Sequence, residues 1–281
     1  MKLDAGTFLI QWAAGGLFFG WVTTRRREVS LGYGWLIRIT FGLMAFAGGA
    51  IVFTNNHERV PTAAFFTGLA AFVALVSSVM RRKAGVSGRQ ALRDERRARV
   101  AAMVGREVAV DGEEDGAEFD PRLDLVAAGF GVIALFLAGQ IVGGPYVQST
   151  VRLLVGAAFL GSVSDAMLLG HWYLVQPGLR RDAVKELVVW TAIVWPFEVL
   201  VWLWPTGMVQ VFNGTVDDGY HGLLAYVWLA CAVTTIALVA LTWFALRERY
   251  YSAVMAATGL LYLAILTAFG TDLVARAVLR P

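Results

Sequence analysis

The sequence predicts an all-α polytopic integral membrane protein of about eight transmembrane helices, with both termini extracytoplasmic. Three observations lead there. Hydrophobic residues make up 58% of the 281 residues. Charged residues make up only 16%, against about a quarter in a soluble domain. The charges also gather in short clusters between long apolar runs, the pattern a bilayer imposes.

The apolar runs occupy roughly 6–23, 31–53, 61–80, 123–143, 150–175, 184–205, 220–246 and 250–272. Each is near the ~20 residues that a helix rising ~1.5 Å per residue needs to cross a ~30 Å hydrocarbon core. Helices are expected because lipid offers no partner for an unpaired amide, and the runs are too long for barrel strands. Three stretches follow: 1–80 with three helices, a loop over 81–122, and 123–281 with five more.

Direction comes from arginine, which outnumbers lysine 21 to 3. Arg25, Arg26 and Arg27 follow the first run, and Arg81, Arg82 and Lys83 follow the third. Arg180, Arg181 and Lys185 follow the fifth, and Arg247 and Arg249 the seventh. The alternate loops contain only Arg59, so the positive-inside rule places loops one, three, five and seven in the cytoplasm. A cleaved signal peptide wants its positive charge before the apolar run, whereas here the arginine triplet comes after it. Trp21, Trp35, Trp172, Tyr173, Trp204, Tyr220, Tyr250 and Tyr251 fall near run ends, at the headgroup level that amphipathic rings prefer. A bacterial inner membrane is the expected location.

In the 81–122 loop, Ser87 with Gln90 three residues on reads as a capping box opening a helix to about Val104. Leu92, Val100, Met103 and Val104 contribute an apolar stripe, flanked by Arg93, Arg96, Arg97 and Arg99. An acidic run from Asp111 to Asp120 follows. Such a helix suits the membrane interface or a cytoplasmic partner. Stretches 45–80 and 134–169 echo each other in small-residue placement, as two hairpins of one duplicated unit would.

Ionisable groups within spans are costly and are kept for pairing or for function. Four stand out: Arg38 in the second run, Asp165 and His171 in the fifth, and Glu198 in the sixth. Arg38 and Asp165 are expected to pair. Asp165 and His171, six residues or about 240° apart, are expected to share one wide interior face beside Gly170, Trp172 and Tyr173, with Pro177 ending the helix. Such a face offers a carboxyl, an imidazole and a guanidinium to a quinone headgroup or to a proton. In the sixth run, Pro196 kinks a tryptophan-rich helix just before Glu198. The extracytoplasmic loops offer weak metal candidates: His57, Glu58, Asp217, Asp218 and His221.

Much is excluded. The single cysteine, Cys231, rules out a disulfide framework, and without C-x-x-C-H there is no c-type haem. Haem b held by two histidines is not expected, because His57 and His221 lie in loops and leave His171 alone at its depth. There is no P-loop, H-E-x-x-H, nucleophile elbow or calcium loop. The basic clusters track topology, so no nucleic acid is expected. Short loops leave little soluble machinery. The leading expectation is therefore a membrane-embedded subunit of an energy-transducing or electron-transfer complex, contributing a quinone or proton site beside other subunits. Its rivals are a stand-alone small-solute or ion transporter and a scaffold without chemistry of its own.

Overall fold

A long apolar segment in lipid must satisfy every amide within itself, and the chain does so by coiling into helices. The structure, a computed structural model, describes residues 4–55, 57–104, 117–176, 179–205 and 207–279. Among these residues there is no strand. The helices are α1 (Ala5–Thr24), α2 (Leu31–Thr54), α3 (Arg59–Met80), α4 (Ser87–Val104), α5 (Arg122–Ala138), α6 (Tyr146–Val175), α7 (Asp182–Leu203), α8 (Met208–Phe212), α9 (Leu223–Ala245) and α10 (Tyr251–Val278). Seven of them, all but α4, α5 and α8, are long and apolar enough to cross a bilayer. The chain is a multi-pass helical membrane protein.

The exception among the expected spans is 123–143. Its helix, α5, has 17 residues, about 26 Å at ~1.5 Å per residue. Beyond Ala138 the chain tightens into turns, where the amides of Ile141 and Val142 both donate to the Ala138 carbonyl at 3.0 and 3.1 Å. Gly139, Gly143 and Gly144 follow in a stretch that favours turns over helix.

The bundle is organised by α1 and α6, whose backbones meet at glycines. A β-carbon on Gly15 would overlap the Ala157 carbonyl, and one on Gly161 would overlap the Gly15 backbone. In lipid, small residues of this kind let helices gain dispersion contact by close approach. Around α1 pack α2 and α5, with α3 behind them; around α6 pack α7 and α10, with α9 against α10. α2 and α3 pack extensively on each other, whereas α5 and α6 barely touch. The echoing stretches 45–80 and 134–169 therefore build unlike hairpins.

All the arginine-rich loops come together at one end of the bundle. There Arg25 and Arg26 pair with Glu186 at the start of α7, and Arg27 pairs with Glu118. Arg181 donates to the Glu248, Arg249 and Tyr250 carbonyls, tying the α6–α7 loop to the α9–α10 loop. We refer to this as the basic end. α4 starts here, its Ser87 amide donating to Glu118 Oε1 at 2.8 Å, a carboxylate placed where the helix dipole favours it. Val100 and Met103 on α4 are exposed. The side chains of Leu92, Arg93, Arg96 and Val104, residues 111–116 of the acidic run, and Pro177 lie outside the described structure.

Candidate functional site: two buried charge clusters

Near the basic end, Arg38 and Asp124 form a bidentate pair. Arg38 Nε donates to Asp124 Oδ1 at 2.7 Å and Nη2 to Oδ2 at 2.8 Å. Side chains of a helix lean toward its N-terminus, and Arg38 lies back along α2 over Gly34, where a β-carbon would be 2.9 Å from Nη1. The guanidinium also sits 4.3 Å from the Phe119 ring centre, and Thr24 Oγ1 donates to Asp124 Oδ2 at 3.3 Å.

This overturns the expected Arg38–Asp165 pair, and the reason is direction. Arg38 reaches toward the basic end, where Asp124 opens α5, while Asp165 lies deeper. Asp165 is 0% exposed, and neither carboxyl oxygen has a hydrogen-bond partner among the described residues. It faces Gly20, where a β-carbon would stand 3.8 Å from Oδ2. The Tyr33 hydroxyl donates to its backbone carbonyl at 3.4 Å.

The shared face expected for Asp165 and His171 is also corrected. The buried arc of α6 runs through Asp165, Ala166, Leu169, Gly170 and Tyr173, where Gly170 meets Thr258 of α10. His171 falls outside that arc and is exposed on the flank of the bundle, its Nδ1 3.2 Å from the Tyr262 hydroxyl. Trp172 Nε1 donates to Ser30 Oγ at 3.0 Å and to Gln176 Oε1 at 3.1 Å. Buried Tyr173 donates to the Arg180 carbonyl. Trp172 and Tyr173 thus fasten the α6 end, and Arg38, Asp165 and His171 face three different surroundings.

The denser cluster lies at the opposite end, and most of it escaped the sequence reading. On α10, Arg276 Nε donates to Asp272 Oδ2 at 2.6 Å, one turn back. Both residues are 0% exposed. Gln11 of α1 bridges them: its amide oxygen accepts from Arg276 Nη2, and its Nε2 donates to Asp272 Oδ1 at 3.4 Å. Gly156 of α6 makes the room, since a β-carbon there would run into the Gln11 amide and stand 3.1 Å from Asp272 Oδ1. From α7, buried Glu198 accepts from Trp202 Nε1 at 2.7 Å. Arg152 of α6 donates to the Val201 carbonyl at 2.8 Å and lies 4.8 Å from the Trp202 ring centre.

Glu198 is within electrostatic reach of Asp272, Arg276 and Arg152. Two carboxyls and two guanidiniums thus share one buried site, drawn from α6, α7 and α10 and braced by α1. With both carboxyls ionised the site is formally neutral, and each proton added makes it one charge more positive. Interactions this close make protonation a property of the group rather than of one residue. Two atoms are unspent: Glu198 Oε2 and Arg276 Nη1 have no hydrogen-bond partner among the described residues. Of this cluster, sequence reading singled out only Glu198. The signal that could have found the rest is the Asp272–Arg276 spacing of four, which places opposite charges on one helix face.

The metal candidates do not converge. Among the described residues no group of three or more His, Cys, Asp or Glu side chains could hold an ion. Asp217 accepts the Gly219 amide at 2.8 Å. Asp218 Oδ1 accepts the Tyr220 and Gly222 amides at 2.9 and 2.8 Å, and Oδ2 the Leu224 amide at 2.8 Å. Desolvation alone would raise the Asp218 carboxyl, but the Gly222, Tyr220 and Leu224 amides together hold it below its ordinary value. His221, in a left-handed backbone conformation, belongs to the same turn. His57 and Glu58 instead line a surface hollow with Gln140 and Ile141, beyond the end of α5. No known family model, curated protein or solved structure matches this chain.

Proposed function

We propose that the chain is a membrane-embedded subunit of an energy-transducing or electron-transfer complex in a bacterial inner membrane, and that its own contribution is a proton site built on Glu198. α5 serves as a short fourth crossing among eight. The basic end lies in the cytoplasm, following the positive-inside rule, and both termini lie outside. The Glu198 cluster then occupies the outer half of the bilayer, and Asp165 lies deeper, about 20 Å along α6 from Arg152.

The observation that carries the reading is the unspent carboxyl oxygen of Glu198, buried beside Asp272 and two guanidiniums. A charge within a membrane is normally neutralised by a partner or retained for function. Arg276 and Asp272 already satisfy each other, with Gln11 closing the pair. Glu198 is the surplus acid, held by one indole N–H. A proton arriving on Oε2 changes the charge seen by Arg152 and Arg276, and the helix carrying it has Pro196 two residues before it. The proton half of the sequence expectation is the half this geometry supports. The partner half rests on the short connections between spans and on α4, which offers Val100 and Met103 outside the bundle.

Blue native electrophoresis of native membranes, combined with proton movement in inverted vesicles, tests the reading. Glu198→Gln should leave the chain in its larger complex and lower energy-linked proton movement by at least about tenfold, the lower end of what a positioned proton-transfer group supplies being higher still. A chain that migrates alone and takes up a solute without partners would overturn the subunit reading. Unchanged proton movement in Glu198→Gln would overturn the site.

A further inference from the structure

The Trp195 indole donates to the Ala232 carbonyl at 2.9 Å, tying α7 to α9 near mid-helix. From that tie toward the basic end the two helices part, leaving a groove of about 390 Å³ open to the side of the bundle. Its walls are apolar throughout and include Val188 and Ala192 of α7 and Ile236, Ala240, Trp243 and Phe244 of α9. From Ile236 to Phe244 the wall runs about 12 Å along the helix, most of the ~15 Å depth of one leaflet's hydrocarbon.

One cation stands at the mouth of the groove, and a second lies a turn away along α7. The Arg247 guanidinium lies 5.6 Å from the ring centres of both Trp243 and Phe244, so it caps the wall those rings form. Lys185 precedes Val188 and Val189 by one turn on the same face of α7. The nearby acids are mostly committed: Asp182 pairs with Arg180 at 3.0 Å and Glu186 with Arg25 and Arg26. Glu248 is the one acid beside Arg247 without an ion pair among the described residues.

We propose that this groove binds an anionic phospholipid, with one acyl chain along the α7–α9 wall and the phosphate between Arg247 and Lys185. The length of one leaflet, an all-apolar wall and two cations at headgroup level together match that molecule. The inference is independent of the Glu198 reading.

Native mass spectrometry of the full chain in detergent, titrated with phosphatidylglycerol or phosphatidylcholine of identical acyl chains, tests it. The chain should retain one phosphatidylglycerol roughly tenfold or more in preference to phosphatidylcholine, as two basic residues at a membrane surface allow. The Lys185→Gln/Arg247→Gln variant should lose the preference, and Ala240→Trp, which fills the groove, should lose retention of both lipids. Arg59→Gln, at the opposite end, should behave as the unaltered chain. Equal retention of the two lipids, or a preference surviving in the double variant, would overturn the proposal. So would a co-purifying polypeptide that Ala240→Trp displaces. The two charge variants are at the surface and leave the core intact, so the test stands even if Ala240→Trp does not fold.

Discussion

The bundle buries two groups of paired charges, apart from the lone Asp165, and the two are built differently. Near the basic end, one arginine meets one carboxylate through two hydrogen bonds, with a threonine and an aromatic ring beside them and Arg38 Nη1 left over. Asp124 is only the third residue of α5, so water is about a turn away. At the opposite end, four ionisable groups and a glutamine share a site between helices, and there a carboxyl oxygen, Glu198 Oε2, is unspent as well as a guanidinium nitrogen. A bidentate pair fixes one helix against another. A cluster with an uncommitted acid can change its charge without dismantling its frame. The difference separates a clamp from the proposed proton site.

The largest expected effect comes from breaking the frame of that site. Arg276→Leu leaves Asp272 buried without its cation, and removing one partner of a buried pair typically costs about 3–5 kcal/mol. Thermal unfolding in detergent should show it, and Asp272→Leu/Arg276→Leu should recover most of the loss, since a neutral pair strands no charge. A single variant as stable as the original would mean the pair bears no load. Next comes the clamp. Arg38→Ala should cost less, about 1–3 kcal/mol, because Asp124 can turn to water at the interface. A loss equal to that of Arg276→Leu would erase the distinction between the two ends.

The spans were legible because a bilayer demands long apolar runs, and the demand is written in composition. The ends were not. Asp124 stood at the margin of a predicted span, Asp272 closed another, and Arg276 fell beyond it. A charge at a margin snorkels at little cost and draws no attention. Yet α10 continues to Val278, which carries Arg276 into the interior. Arg152 hid in the same way, because α6 begins at Tyr146 rather than 150. His171 failed for another reason. A helical wheel gives angles but not which arc faces inward, and the small residues Gly161 and Gly170 turned the buried arc away from it.

Smaller effects sharpen the comparison further. Glu198→Gln keeps an acceptor for the Trp202 indole and preserves shape, so its stability should stay within about 1 kcal/mol of the original while proton movement falls. A large loss of stability would make Glu198 a clamp like Asp124. Smallest is the loop outside the bundle. Asp218 has a folded carboxyl below its ordinary value, so its contribution is present above the unfolded value and disappears as pH falls through the folded one. Protection factors of the Gly222 and Leu224 amides, referred to the intrinsic exchange rate at each pH, should fall in Asp218→Ala and in the original chain at acid pH. Protection that ignores both changes would show that the loop is held by something else.

The central claim is the proposed proton exchange at Glu198. Infrared titration of the purified chain in lipid nanodiscs reads carboxyl protonation directly, through the carbonyl stretch that only the protonated acid shows. The account predicts a carboxyl band that changes with pH across the range where the protein stays folded, is missing in Glu198→Gln, and persists in Asp124→Asn. A band unchanged in Glu198→Gln, or lost in Asp124→Asn instead, would contradict it.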